Sequence, residues 1–177
     1  IEANAVMNLV GPSSLPDFWN RHAWDSAQLL SLAPAARTWA DLGAGAGFPG
    51  VVLAILMKGR EGAHVWLIDS QGKRCRFLQE IVDSLDLPAT VIVGRAEEQE
   101  VTCDIVTARA VAPMEKLLAY AQPYFQHGAQ GLFLKGEKAE AELKEAAKVW
   151  QFRSDLSVSC SDPRGRIVSV RSLRRVR

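Results

Sequence analysis

The sequence is poor in the residues that build stapled or metal-bound domains. Its three cysteines, Cys75, Cys103 and Cys160, stand far apart, and no CxxC pair occurs. That spacing does not make a disulfide scaffold, so a reducing, cytoplasmic setting fits best. His22, His64 and His127 complete no zinc pattern, and no metal is expected. No apolar stretch approaches the roughly 20 residues that cross a bilayer. No signal peptide is evident, so no membrane partner is expected. There is no internal repeat and no low-complexity linker. Basic and acidic residues nearly cancel, 21 against 20, so the chain as a whole does not advertise a nucleic-acid binder. The distribution is less even: Arg164 to Arg177 holds six arginines and no acid. Such a tail can face phosphate, or it can be a solvated last strand with a basic end.

What is present is an ordinary globular balance. The 177 residues are 48% hydrophobic and 23% charged, which predicts one domain, 1–177, with a real core. Residues 1–16 read as irregular, broken by Gly11-Pro12 and Pro16. A helix is predicted over 17–32, stopped by Pro34, with Phe18, His22, Leu29 and Leu30 sharing parts of one face. Strand and helix signals then alternate. Strands are predicted at 38–42, 65–68, 90–93, 104–107 and 131–135, and helices at 51–57, 73–85, 112–125 and 137–150. Two further strands, 152–159 and 167–173, flank a turn at 161–165. Alternation implies a parallel sheet with helices on both faces. The closing pair must be antiparallel, since parallel neighbours need a long crossover. The expected class is α/β: a Rossmann-like, mostly parallel seven-stranded sheet with an antiparallel last strand, as in S-adenosylmethionine-dependent methyltransferases.

The densest chemical signal is "DLGAGAGFPG", residues 41–50, between the first strand and the next helix. Gly43, Gly45 and Gly47 let the backbone turn sharply and approach a ligand. Two registers compete. Gly45-x-Gly47-x-x-Gly50, with an acid ending the next strand, matches a dinucleotide fingerprint and keeps a nicotinamide-dependent oxidoreductase in view. Asp41-x-Gly43-x-Gly45-x-Gly47 matches a loop for S-adenosyl-L-methionine. Asp69, at the end of strand two, can take both ribose hydroxyls in charged hydrogen bonds, or merely cap the following helix. Ala96 and Glu97, past strand three, can edge an adenine, or form an acidic first helical turn. Phe48 can pack over the ligand or plug the helix–sheet contact. Arg109 and Lys135, at the ends of strands four and five, are either site cations or surface charges. His22 and Asp25 lie one turn apart on the first helix, where a packed, satisfied histidine is the ordinary outcome.

Seven stretches carry a resemblance: "NLVGPS", "RHAWDS", "DLGAGAGFPG", "LIDSQGKRCRFL", "GRAEE", "VTARAVAP" and "LKGEKAEAE". In this order the sequence resembles the bacterial ribosomal RNA small-subunit methyltransferase G family. "DSQGKR-x-x-FL" and "TARA-x-AP" are more specific than the glycine loop. The resemblance implies methyl transfer from S-adenosyl-L-methionine to N7 of a guanine in 16S ribosomal RNA, the one commonly numbered 527. Its substrate would be that RNA or the small ribosomal subunit; apart from the resemblance, a monomer is expected. The resemblance carries cofactor contacts onto Gly43, Phe48, Ala96, Glu97 and Arg109; Gly45, Gly47 and Asp69 join them by position. His22, Asp25 and Lys135 are candidates for the substrate side, with His22 and Asp25 expected to orient the glycine loop or shape the guanine pocket. Guanine N7 needs no deprotonation, so no catalytic base is expected and the task is alignment. Residues 1–36 are expected to be a shortened form of the family's N-terminal helical segment, and 37–177 the core. The last strand, "RIVSVRSLRRVR", is richer in arginine than the family pattern. A methyltransferase for a small molecule or a protein remains the alternative on this scaffold.

Overall fold

The structure, a computed structural model, describes Asn4 and residues 10–176. Seven strands form one sheet: β1 Thr38–Leu42, β2 His64–Asp69, β3 Ala89–Val93, β4 Ile105–Arg109, β5 Gln130–Lys135, β6 Trp150–Val158 and β7 Arg166–Arg175. Their order is β3-β2-β1-β4-β5-β7-β6. β1 to β5 are parallel, and β7 runs antiparallel between β5 and β6. The predicted architecture is therefore present, and only β7 is reversed.

Four longer helices cover the sheet: α1 Gly50–Met57, α2 Gly72–Leu85, α3 Met114–Gln126 and α4 Ala139–Ala146. The central strands read as unbroken apolar runs because both of their faces are buried. Trp39, Val65 and Leu67 pack with Leu53, Ala54 and Met57 of α1 on one side. Ala40, Leu42 and Val106 pack with Met114, Leu117 and Phe133 on the other. In α2, Cys75, Leu78 and Val82 form the buried stripe at helical spacing, and Asp86 ends the helix in a left-handed conformation, φ 48°. No helix among the described residues is long and apolar enough to cross a membrane.

Two predicted helices differ from the observed ones. The single helix over 17–32 is instead a chain of short turns: a 3-10 segment Pro12–Asp17, a π-helical segment Trp19–Trp24, then α-turns Asp25–Ala27 and Leu29–Leu32. Pro16 sits inside the first of these, where it removes an amide donor and prevents one regular ladder. The irregular chain predicted over 1–16 lies half outside the described residues; within them, 12–17 is a 3-10 helix. The helix predicted over 137–150 spans only Ala139–Ala146. Trp150 is drawn into the sheet as the first residue of β6, buried, with its indole N–H donating to the Glu115 carbonyl at 3.1 Å. β4 also differs at its ends. Asp104 precedes it, accepting the amides of Arg37 and Thr38 at 2.8 and 2.9 Å, and Arg109 is its last residue.

From the centre the chain steps one way through β1, β2 and β3, and the other way through β4 and β5. Such a switch point opens a crevice beyond the carboxyl ends of β1 and β4. The loop after β1 turns into α1 at that crevice. Its last glycine, Gly50, is a packing residue. A Cβ there would lie 2.3 Å from Leu67 Cδ2 and 2.6 Å from Asp41 Oδ2. Its amide donates to that same Asp41 oxygen at 2.8 Å. Gly50→Ala is expected to destabilise the protein by about 1–3 kcal/mol, the range for overpacking a tight core. Urea unfolding of the two proteins measures this, and equal midpoints would contradict it.

Candidate active site

A cavity of about 480 Å³ opens beyond the ends of β1, β2, β3 and β4, lined by Gly43, Ile68 to Gln71, Arg74, Gly94 to Glu97, Ala110, Val111 and Tyr120. Of the predicted cofactor residues, Gly43, Asp69, Ala96 and Glu97 stand in its wall. Gly43 has φ 65°, and a Cβ on it would meet Val111 Cγ2 at 2.8 Å. Only glycine lets β1 turn here without closing on the loop after β4.

Asp69 ends β2 and is 5% exposed. Its Oδ2 accepts the Gly45 amide at 2.9 Å, and its Oδ1 accepts the Gln71 amide at 2.8 Å. Its backbone carbonyl accepts the Gly94 amide at 3.0 Å. The Arg74 guanidinium stands 3.9 Å from Oδ2. Asp69 thus turns the chain toward α2 and also fixes the glycine loop. Each carboxylate oxygen keeps a second lone pair, so the residue fits a pair of ribose hydroxyls entering the cavity. The turn at Gly94–Glu97 is held from below. The hydroxyl of the fully buried Tyr124 donates to the Ala96 carbonyl at 2.8 Å, and burial holds its phenol well above the usual range. Sequence reasoning missed Tyr124. The signal was a phenol on the apolar face of a helix, which needs a partner once buried.

Gly45, Gly47 and Phe48 are not in this cavity's wall, although Gly45 touches it through its amide bond to Asp69. Gly47 and Phe48 border an apolar groove beside the N-terminal turns. The Phe48 ring lies 5.6 Å from Phe18 and 5.2 Å from His22, centre to centre, and the Arg109 guanidinium carbon is 5.0 Å from its centroid. Arg109 donates to the Arg21 carbonyl at 3.1 Å. Burial lowers its pKa, opposed by the charges of Asp25 and Asp41.

A second cavity, about 630 Å³, adjoins the first and shares Ala110 with it. Arg21, His22, Asp25, Arg109, Lys135 and Arg164 are in its wall. Ala110 itself has φ 55°, a left-handed conformation that costs an alanine roughly 1–2 kcal/mol. Strain of this kind is concentrated where it shapes a site, and here it lies on the boundary between the two cavities. All three predicted substrate-side residues, His22, Asp25 and Lys135, are brought together here, but each is already engaged. Asp25 Oδ1 accepts from Ser159 Oγ, Ser161 Oγ and Gln28 Nε2 at 2.8, 2.6 and 2.8 Å. These bonds fasten the N-terminal turns to the β6–β7 turn, not to the glycine loop. Lys135 Nζ meets Glu142 Oε2 at 2.6 Å and donates to the Ala112 carbonyl at 2.9 Å. Glu142 Oε2 also accepts the Met114 amide at 2.9 Å, so this pair braces the loop after β4. His22 does reach the glycine loop, through Phe48. Ser14 Oγ donates its single proton to the Gly11 carbonyl at 2.6 Å. It therefore meets His22 Nε2, 2.8 Å away, as an acceptor, and Nε2 carries the ring proton. Burial, then the charges of Arg109 and Arg21, lower the His22 pKa to about 4, so the ring is neutral at pH 7.

Asp41 lies beneath the glycine loop, fully buried, with Oδ1 unpartnered among the described residues. Burial raises its pKa to about 7, and the Gly50 amide only partly offsets this. The sequence signal was an acid inside the apolar strand "TWADL". The folded carboxyl keeps a proton that the unfolded chain, with the ordinary value 3.8, releases. The folded state thus binds more protons between pH 4 and 7, and stability falls as pH rises through that window. Asp41→Asn should flatten the slope. Urea midpoints of both proteins from pH 4 to 8 check this, and parallel curves would contradict it.

A switch-point crevice, a glycine loop, a β2 acid and a reversed seventh strand together define a Rossmann-like methyltransferase. Solved structures share the fold. A SAM-dependent methyltransferase from Aquifex aeolicus superposes with a TM-score of 0.68 at 16% identity, over 96% of this chain and 98% of that one. Magnesium protoporphyrin IX methyltransferase from Synechocystis PCC 6803, solved with bound SAM, gives 0.62 at 16% identity, over 97% and 98%. The family model for rRNA small subunit methyltransferase G matches residues 1–167. A ribosomal RNA small subunit methyltransferase G from Caulobacter vibrioides is 61% identical over 176 residues, covering 99% of this chain and 82% of that protein. One from Methylorubrum populi is 48% identical over 174 residues, covering 97% and 82%. The chain belongs to the rRNA small subunit methyltransferase G family.

Proposed function

We propose that this chain transfers a methyl group from S-adenosyl-L-methionine to N7 of a guanine in 16S ribosomal RNA, by family resemblance the guanine numbered 527, acting as a cytoplasmic monomer. The observation that carries the reading is the pair of cavities meeting at Ala110. One has a nucleoside's fittings, and the other carries four cations, Arg21, Arg109, Lys135 and Arg164, against three acids, Asp25, Glu137 and Asp162, its guanidiniums suiting the phosphates of an anionic polymer.

When bound, S-adenosylmethionine supplies a methyl on a sulfonium sulfur, which the in-plane lone pair of N7 accepts with no prior loss of a proton. The chain's work is therefore alignment. Asp69 takes the ribose hydroxyls, and the Ala96 amide and Glu97 take the adenine edge. The backbone at Gly43 and Gly45 carries the amino-acid end, with Gly47 and Phe48 backing the loop from the apolar groove. Arg109, held by the Phe48 face and the Arg21 carbonyl, presents its cation to oxygens: guanine O6, a phosphate or the cofactor carboxylate. The neutral His22 adds no charge beside a purine that becomes cationic on methylation, which favours transfer. Asp25 and Lys135 fix the walls of the guanine side through the turn and loop they hold. The target base must be unstacked to enter.

With methyl-tritiated S-adenosylmethionine, label is expected in small-subunit RNA from a strain lacking the enzyme, recovered as 7-methylguanosine. Label in another base, in protein or in a small acceptor would overturn the reading. Asp69→Ala is expected to weaken cofactor binding by roughly 1.5–3 kcal/mol, the range for hydrogen bonds to a charged group. Calorimetry measures this, and unchanged affinity would remove Asp69 from the site.

A further inference from the structure

We propose that the outer face of the β6–β7 hairpin is a docking surface for RNA phosphates, carried by Arg153, Arg171 and Arg174. The proposal rests on the ribosomal RNA reading above and extends it to a surface away from the two cavities.

Charge is segregated sharply along this chain. Residues 151–177 hold seven arginines and two aspartates, a net +5, while residues 1–150 hold 14 basic and 18 acidic residues, a net −4. No lysine follows Lys148. The basic side chains of this segment are all guanidiniums, the group that matches phosphate with a planar fork of donors.

Strand register places them. Arg153 stands opposite Arg171, Asp155 opposite Ser169 and Ser157 opposite Ile167, and directly opposed residues share a face. Val168, Val170 and Leu156 belong to the other face, in the core with α3. A register shift brings Gln151 opposite Arg174. Arg153, Asp155, Arg171 and Arg174 are all exposed.

Two features set this face apart from an ordinary solvated strand. Arg153 directly opposes Arg171, and like charges in that position destabilise a strand pair. Among the described residues a single carboxylate, Asp155, serves the three arginines; it pairs with Arg171 at 2.5 Å. The face carries repulsion that an anionic partner relieves. Strand β7 also connects this face to the substrate side, although Arg166 itself lies on the opposite face with Val168 and Val170 and Ile167 is buried. β7 starts at Arg166, opposite Lys135, just after the turn that puts Arg164 in the second cavity. At about 3.3 Å per residue, Arg171 and Arg174 lie roughly 17 and 26 Å further along. The opposed pair Arg153 and Arg171 has Cβ atoms about 5 Å apart, close enough for both guanidiniums to reach one phosphate or two neighbouring ones. The hairpin thus forms a track leading away from the cleft, along which RNA flanking the target base can lie.

The test uses the triple variant Arg153→Gln/Arg171→Gln/Arg174→Gln. Expected first are an unchanged S-adenosylmethionine affinity and a thermal midpoint equal to or above the parent's, since a repulsive pair is removed. Dissociation constants for small-subunit RNA are then measured from low to high salt. Each phosphate contact contributes about 0.7 to the log–log slope on single strands, so the slope should fall by about 2, with affinity at low salt about tenfold weaker or more. KM for RNA should rise by a similar factor while kcat at saturating RNA stays within about twofold of the parent's. An unchanged slope and KM, with the parent methylating RNA normally, would overturn the inference and leave the ribosomal RNA reading intact. If the parent methylates no RNA, that reading fails and this one with it. Activity lost only on assembled subunits, with naked-RNA affinity intact, would assign the face to a ribosomal protein and also overturn the inference.

Discussion

One residue gathers the loops that make the cofactor cavity. Asp69 takes the Gly45 amide on one carboxylate oxygen, the Gln71 amide on the other and the Gly94 amide on its backbone carbonyl. Those amides belong to the loops after β1, β2 and β3. A charged acceptor in a nearly water-free position makes stronger hydrogen bonds than a neutral one. Removing it would leave the Gly45 and Gln71 amides without that acceptor. The three loops are thereby held in one arrangement before a ligand arrives, and little ordering remains to be done on binding. Asp41, one strand away, does related work from below. It anchors the start of α1 through Gly50 at the expense of a buried, hard-to-ionise carboxyl.

The substrate side is built differently. Its wall comes from segments far apart in the chain, joined by side chains. Asp25 and Ser159 are separated by 134 positions and Arg109 and Arg21 by 88. The N-terminal turns are not a regular helix, so they rely on such ties. Phe18, His22 and Phe48 pack the turns onto the glycine loop, and Asp25 with Gln28 locks them to the β6–β7 turn. A change at that turn is thus felt at Arg164 and at the mouth of the guanine side. The two cavities share Ala110, but one is shaped by backbone and the other by long-range side-chain contacts.

That difference decides how much was legible in the sequence. β1 lies at 38–42, as read from the sequence, because a short apolar strand followed by four glycines leaves the chain few options. The mostly parallel sheet and its antiparallel closing pair followed from alternating elements and one tight turn, whereas the strand order, with β7 between β5 and β6, was not read. Gly43, Asp69, Ala96 and Glu97 could be placed because they sit at fixed offsets from strand ends. Asp25 and Lys135 could be named but their bonds could not, since their partners depend on a turn and a helix folded elsewhere. Tyr124, and the bond that Asp41 makes to Gly50, were hidden for a related reason: they come from burial, and a phenol or a carboxyl in an apolar segment does not announce its partner. The N-terminal turns defeated a helical reading because 3-10, π and α segments share similar apolar spacings. The end of α4 was misplaced because tertiary burial of Trp150 outweighed local helical preference.

The most direct measurement of the central claim is a crystal structure with the demethylated cofactor bound. The account predicts both ribose hydroxyls within hydrogen-bonding distance of the Asp69 carboxylate, the adenine against the Gly94–Glu97 turn, and the sulfur turned toward Ala110 and the arginine-walled cavity. A nucleoside bound in the apolar groove beside Phe48, or anywhere that leaves Asp69 untouched, would contradict it.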